Sequence, residues 1–398
     1  MHNALPVDAL VLGGALLVLV GVLATAVTDR FHVPALLVFL GIGMVIADDG
    51  LAWVRFGDER LAQTVSVIAL VVILFDGGLG TPAAELRSVA GPATALAIAG
   101  TAITTGVVAL GARTLLGVGW TTALLIGAIV GPTDAAAVFS ALRRVPLPRR
   151  LTALLEAESG LNDPMSVLLT VAVLEAWRSG VTAGDLAVFA AQQLVGGAAI
   201  GVVCGLLGAV LVQGLRLANA ALYPVATLGI AALAYGAATH VGASGFLAVY
   251  LSGVVVGSKV VRRRRAIRAF HEAAAGMAQI ALFLILGLLV FPSQLPHVAA
   301  KAAGVTVLLV LVARPLAVVA CLTWFRFRPA ELALASWTGL RGAVPIVLAT
   351  FPLTAAYPDG ALVFDVVFFV VLLSTLVQGA TVAPLARRLG LRADDAPQ

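Results

Sequence analysis

Apolar windows of eighteen or more residues recur from one end of this 398-residue chain to the other, and this feature constrains the fold more than any other. An α-helix rises ~1.5 Å per residue, so each window is long enough to cross a hydrocarbon core ~30 Å thick. A segment in lipid must satisfy its own backbone polar groups, which leaves helices or a closed barrel. A barrel would show alternating segments of about ten residues, and the sequence lacks that pattern. The reading is an all-α, polytopic membrane protein. Composition agrees, since 61% of the residues are hydrophobic and 11% charged, and the mean hydropathy is +1.07. A soluble chain carries about 25% charged residues.

Hydropathy divides the chain into thirteen expected spans, at roughly 8–28, 33–47, 61–80, 88–110, 119–142, 151–176, 184–213, 221–239, 243–259, 270–291, 298–322, 330–352 and 361–385. The linkers are short and leave no room for a soluble domain. The expectation is one membrane domain over residues 1–390 and a short cytoplasmic tail over 391–398. With the N-terminus outside, 18 of the 25 Lys and Arg fall in cytoplasmic segments, five fall outside, and Arg314 and Arg341 lie within spans. The positive-inside rule then places the N-terminus out and the C-terminus in. The run "RRRR" at 262–265 reads as a cytoplasmic anchor. The formal charge of +5 follows from this topology and calls for no nucleic acid.

Other features are quieter. "MHNALPVDAL" lacks a basic n-region and a small-residue cleavage site, so it is not read as a signal peptide. Cys204 and Cys321 fall inside apolar runs and read as reduced packing residues. No cluster of metal-binding residues stands out, and no cofactor is expected. Gly197, Gly201 and Gly205 give the small-xxx-small spacing of closely packed helices.

Two spans carry helix breakers at membrane depth. The fifth reads "GAIVGPTDAAAVFSAL", and Pro132 opens its ladder near Gly131–Asp134. The twelfth reads "SWTGLRGAVPIVLAT", with Gly339, Gly342 and Pro345 making a similar weak point around Arg341. Broken spans are tolerated where they line a protein cavity. These two lie seven spans apart, so they cross the membrane in opposite directions. If spans 1–6 and 8–13 are equivalent halves, the breaks occupy matching places in an inverted repeat, as in secondary transporters. Counted from the cytoplasmic ends, Asp134 lies about 12 Å deep, Asp163 about 18 Å and Arg341 about 16 Å.

The sixth span holds "LLEAESGLNDPMSVLLT". Ser159 pairs by helical spacing with Asn162 and Asp163, and Glu158 pairs likewise with Asn162. Pro164 is expected to weaken the helix and free the carbonyl of Gly160. The result is a hard-oxygen donor set, suited to an alkali cation rather than a soft transition metal. A bare carboxylate at this depth is costly, so Asp163 is expected to be occupied by a proton or a cation in turn. That competition suffices for exchange. Arg341 needs a counter-charge, for which Glu158 is the first choice and Asp76, in "LFDGGLGT", the second. Arg314 is expected to neutralise backbone dipoles near the fifth-span break, and Glu156 to meet Arg149 or Arg150.

"GPTDAAAVFSAL", "EAESGLNDPMSVLLT" and "GLRGAVPIVLATFP" together resemble the cation:proton antiporter-1 family, and most closely its bacterial potassium/proton branch. The resemblance covers essentially the whole chain. It implies a homodimer in which a six-helix core (spans 4–6 and 11–13) moves against a scaffold (spans 1–3 and 8–10). Its predicted location is a bacterial inner membrane. By motif match it implies an ion site of Thr133, Asp134, Ser159 and Asp163. A supporting Glu158–Arg341 pair, and Asn162 as an orienting residue, are implied in the same way. The Asn162-Asp163 pair, where electrogenic relatives have two Asp, implies electroneutral exchange of K⁺ or Na⁺ for H⁺. Members of that branch usually carry a cytoplasmic regulatory region after the last span, and this sequence stops at Gln398.

Two rival readings use other features. A cation channel also gathers polar residues midway, but a filter repeats its ligands around an axis, and here there is one asymmetric set. "GASG" at 242–245 matches the pattern of rhomboid-like intramembrane serine proteases, which need a base within reach of Ser244. His240, His271 and His297 all fall at or near span ends.

Overall fold

The computed structural model describes residues 15, 19, 21–23, 35–54, 56–81, 83–142, 145, 147–180, 183–260 and 263–391. The first expected span and the 391–398 tail therefore lie almost wholly outside the described residues, as do Arg143, Arg144 and Arg262. Every later span has a helix, or a pair of half-helices, at its expected place. In chain order these are α1 (Ala35–Ile46), α2 (Glu59–Gly80), α3 (Leu86–Leu116), α4 (Trp120–Ile129), α5 (Ala135–Leu142), α6 (Arg149–Ser179) and α7 (Gly184–Gly214). They continue as α8 (Leu222–His240), α9 (Gly245–Lys259), α10 (Arg264–Leu288), α11 (Leu295–Phe325), α12 (Pro329–Trp337), α13 (Ala343–Thr354) and α14 (Gly360–Arg388).

Among the described residues, seven helices are both long and apolar enough to cross a membrane. The 31 residues of α6 span about 46 Å, but its acids and arginines depress its hydropathy. The outer face of α7 exposes Val188, Val195, Leu207 and Val210. Such a face suits lipid, where exposed apolar side chains cost nothing.

Two sets of helices pack internally. In one, α1 and α2 lie against α10, α2 lies against α9, and α7 and α8 lie against α9. Backbones approach closely here. A Cβ on Gly201 would stand 2.6 Å from the Ala248 carbonyl oxygen, and one on Gly43 would stand 2.9 Å from the Gly287 Cα. The glycine spacing on α7 thus seats that helix on α9, as in other small-residue interfaces. In the other set, α3 packs on α4, α6 on α3 and α4, α11 on α14, and α13 on α14. The sets meet where α2 crosses α13, with smaller contacts of α9 on α6 and α10 on α13.

Three long helices contain a single wide π-type turn, at Leu96–Gly100, Gln192–Gly196 and Leu309–Ala313. Such bulges re-aim the side chains that follow. The last one delivers Arg314 into the interior, where it is 4% exposed.

Candidate ion-binding site

The site starts from two missing turns of helix. After α4 the backbone is non-helical from Val130 to Asp134, because Pro132 has no N–H and Gly131 favours no helix. After α12 it is non-helical from Thr338 to Gly342. The two stretches cross and touch, the Asp134 N–H donating to the Leu340 carbonyl at 2.8 Å.

This crossing brings four half-helix ends together, each with unsatisfied backbone groups and a partial charge. Negative charge meets the N-terminal ends. Asp134 Oδ1 accepts the Ala137 N–H of α5 at 3.1 Å. The same carboxylate lies against Gly342, the N-cap of α13, so tightly that any Cβ there would overlap it. Positive charge meets the C-terminal ends. Arg341 Nε donates to the Val130 carbonyl at the end of α4 at 2.7 Å, and its Nη1 donates to Gly339. Arg314 Nη2 donates to the Ala335 carbonyl of α12 at 3.2 Å.

The arginine partners correct three expectations. Glu158 binds Arg314 in a two-pronged pair, Nη1 to Oε1 and Nη2 to Oε2 at 2.9 Å, and acts on Arg341 only through its charge, with no hydrogen bond to it among the described residues. Arg314 therefore serves α12 rather than the fifth-span break, while Arg341 takes the role at that break. The reason is the crossing itself, which swings Arg341 across to the α4 end and leaves Glu158 facing α11. Asp76 is not a partner of Arg341 either, since the charges acting on it are Glu272 and Arg268 of α10. Arg150 donates to the Phe325 carbonyl at 2.8 Å and stacks over Phe327.

Two prolines also differ from expectation. Helix α6 runs unbroken through Pro164. The proline removes one backbone donor, but the buried residues on both sides of it keep the helix packed. Pro345 is the third residue of α13, in the first turn, where a missing N–H costs nothing.

The oxygen donors converge as the spacing on the sixth span implies. Ser159 Oγ donates to the Thr133 carbonyl at 2.7 Å, and Asn162 Nδ2 donates to Thr133 Oγ1 at 2.9 Å. Asp134 and Asp163 open into one cavity of about 40 Å³. Pro132, Thr133, Gly342 and Pro345 line one side; Leu70, Ile73 and Leu74 of α2, and Gln279 of α10, line the other. That volume holds an ion with a water or two. Two carboxylates in one small, poorly hydrated space repel each other unless a proton or a cation lies between them.

The sequence reading missed the supports on α14. Ser374 Oγ accepts the Arg341 N–H at 3.3 Å, Thr375 Oγ1 donates to the Arg341 carbonyl at 3.0 Å, and Gln378 Nε2 donates to the Trp337 carbonyl at 2.8 Å. Their signal was present as "STLVQ", a polar patch one turn long inside an apolar run. Ser244, by contrast, is a helix cap whose Oγ accepts the Leu247 N–H at 3.3 Å. His271 is fully buried and bonded to Thr227 at 2.8 Å. Among the described residues no histidine bonds Ser244, so the protease reading is set aside.

The family described as "Sodium/hydrogen exchanger, transmembrane" matches residues 15–388. The chain belongs to that family. Curated relatives include a K⁺/H⁺ antiporter of Alkalimonas amylolytica, 41% identical over 98% of this chain and 68% of its own length. A Na⁺/H⁺ antiporter of Pseudomonas aeruginosa is 32% identical over 80% of each chain. Among solved structures, the sodium proton antiporter of Methanocaldococcus jannaschii at pH 8 superposes with a TM-score of 0.83 at 21% identity, over 95% of this chain and 98% of that one. This exchanger-family chain is thus a multi-pass membrane transporter, not an enzyme.

Proposed function

We propose that the protein exchanges one monovalent cation for one proton across the bilayer by alternating access, with Asp163 holding each in turn. The observation that carries this reading is the shared cavity of Asp134 and Asp163. It lies where two broken helices cross and where helices of the two packing sets face each other. Thr133 and Ser159 complete the oxygen set, with Asn162 fixing Thr133 and the Glu158–Arg314 pair holding α6 against α11. Arg341 holds the crossing together. K⁺ is the proposed cargo, because the relatives at 41% identity are named K⁺/H⁺ antiporters.

The wider arrangement belongs to the same proposal. Thirteen spans form an inverted repeat with the N-terminus outside, in a bacterial inner membrane. The matched breaks support the repeat, and so do the π-type turns in α3 and α11, the fourth and eleventh spans. The α3–α6 and α11–α14 set would move against the α1, α2 and α8–α10 set, the latter forming a homodimer.

The test is exchange in reconstituted vesicles, followed by an internal pH dye after K⁺ or Na⁺ is added. Asp163→Asn is expected to abolish cation-driven proton movement, and the wild-type rate should not respond to an imposed potential. A net charge per cycle would couple to voltage by about 2.3 kcal/mol per 100 mV. Wild-type exchange in Asp163→Asn sinks the assignment of Asp163, and a steep voltage dependence sinks one-for-one stoichiometry.

A further inference from the structure

A second, larger cavity of about 510 Å³ opens in the same cleft, nearer the other ends of its helices. Arg60, Gln63 and Thr64 of α2, Val171 and Leu174 of α6, and Thr354 of α13 are among its lining. On the proposed topology it is the outer vestibule. Between it and Asp163 the helices bury Ser66, Ser166 and Thr170 completely, and the eight residues from Asp163 to Val171 span about 12 Å.

The buried stretch is not purely apolar. On α6, Ser159, Asp163, Ser166, Thr170 and Leu174 follow at spacings of four, three, four and four, so they form one stripe from the ion site to the vestibule. On α2, Gln63, Ser66, Leu70 and Leu74 do the same, and Ser66 lies between a vestibule residue and two cavity residues. Ser66, Ser166 and Thr170 are all fully buried, and none of their hydroxyls has a hydrogen-bond partner among the described residues. That is unusual for a helix. Thr64, Thr306 and Thr354 each donate to a carbonyl one turn back. A buried hydroxyl left unpaired bears its full desolvation penalty, and such groups point to a ligand or a role that the static contacts do not show.

We propose that Ser66, Ser166 and Thr170 form a neutral oxygen way-station that coordinates the partly dehydrated alkali cation between the vestibule and Asp163. Hydroxyl oxygens suit hard monovalent cations. Because the set carries no carboxylate, it binds weakly enough for the ion to move on, as conduction through successive sites requires. The station opens when the α2 face parts from α6 and α13.

This inference rests on the antiport reading, and the experiment separates their failures. Protein reconstituted in one orientation is given K⁺ on the vestibule face or on the opposite face, and the half-saturating concentration is measured for each. Ser66→Ala and Thr170→Val are each expected to raise it about fivefold on the vestibule face, the worth of one polar contact. The opposite face and the pH profile should not change, and Ser66→Thr should restore the wild-type value. The folded protein loses no protein hydrogen bond in either variant, so yield and melting temperature should hold. An equal rise on both faces, or no rise on either, overturns the way-station. Wild-type vesicles without any cation-driven proton movement overturn the antiport reading and the way-station with it.

Discussion

At the residue scale, the least expendable interaction is the Glu158–Arg314 pair. Both side chains are buried, at 1% and 4% exposure, and each partner neutralises the other in a medium where an uncompensated charge is costly. Removing one partner of a buried pair typically costs about 3–5 kcal/mol, because an uncompensated charge stays behind. Glu158→Gln is therefore expected to lower the melting temperature in detergent sharply, and Arg314→Gln to do the same. The double variant should recover much of the loss, since two amides leave no stranded charge. If the double variant is as unstable as the sum of the singles, the pair is not coupled as the geometry implies. The same logic separates this pair from Arg341, whose donors go to the Val130 and Gly339 carbonyls rather than to an acid. Its work is to compensate helix ends.

At the element scale, helix position was legible in the sequence, while helix neighbours were not. The apolar runs and their Gly and Pro interruptions located α1 through α14 because hydropathy and backbone sterics act within a segment. The positions of the two breaks were legible for the same reason, since Pro132 and Gly342 are local signals. Which arginine met Glu158 depended on how α11 and α12 rotate about their axes, and no local pattern encodes that. Pro164 looked like a break because its own ring is the only local cue, whereas tertiary packing decides. The loop contact between α1 and α10 was likewise invisible. Asp49 Oδ2 accepts the Ser293 N–H at 2.7 Å, and this bond holds its carboxyl below the ordinary value of 3.8. A depressed folded-state value means that the contribution is present above 3.8 and is lost as pH falls through the lower, folded-state value. Asp49→Ala is thus expected to melt slightly below wild type at pH 7, and the two curves should converge in acid. A gap that persists at low pH would assign the effect to something other than this ionised carboxylate.

At the scale of the whole molecule, the cavity has two walls of different kinds. One wall is made by the crossed helices and α6 and carries both acids of the site, and the other is the apolar face of α2 with Gln279 of α10. An ion held on the first wall can be offered to one side and then the other only if that wall moves relative to the second. Leu70 and Val344 stand on opposite walls. With Cys204 and Cys321, the two native thiols, replaced by alanine, Leu70→Cys/Val344→Cys treated with a short thiol-cleavable linker should stop exchange, and reductant should restore it. Each single cysteine should react without arrest. If verified cross-linking leaves exchange at the untreated rate, the walls do not need to part, and the helices across the cleft act as one rigid body. The chemistry at Asp163 would then require a fixed pore, which a site with a single asymmetric set of ligands does not provide. Relative motion of the walls is therefore the mechanical half of a proposal whose chemical half is the exchange of occupants at Asp163.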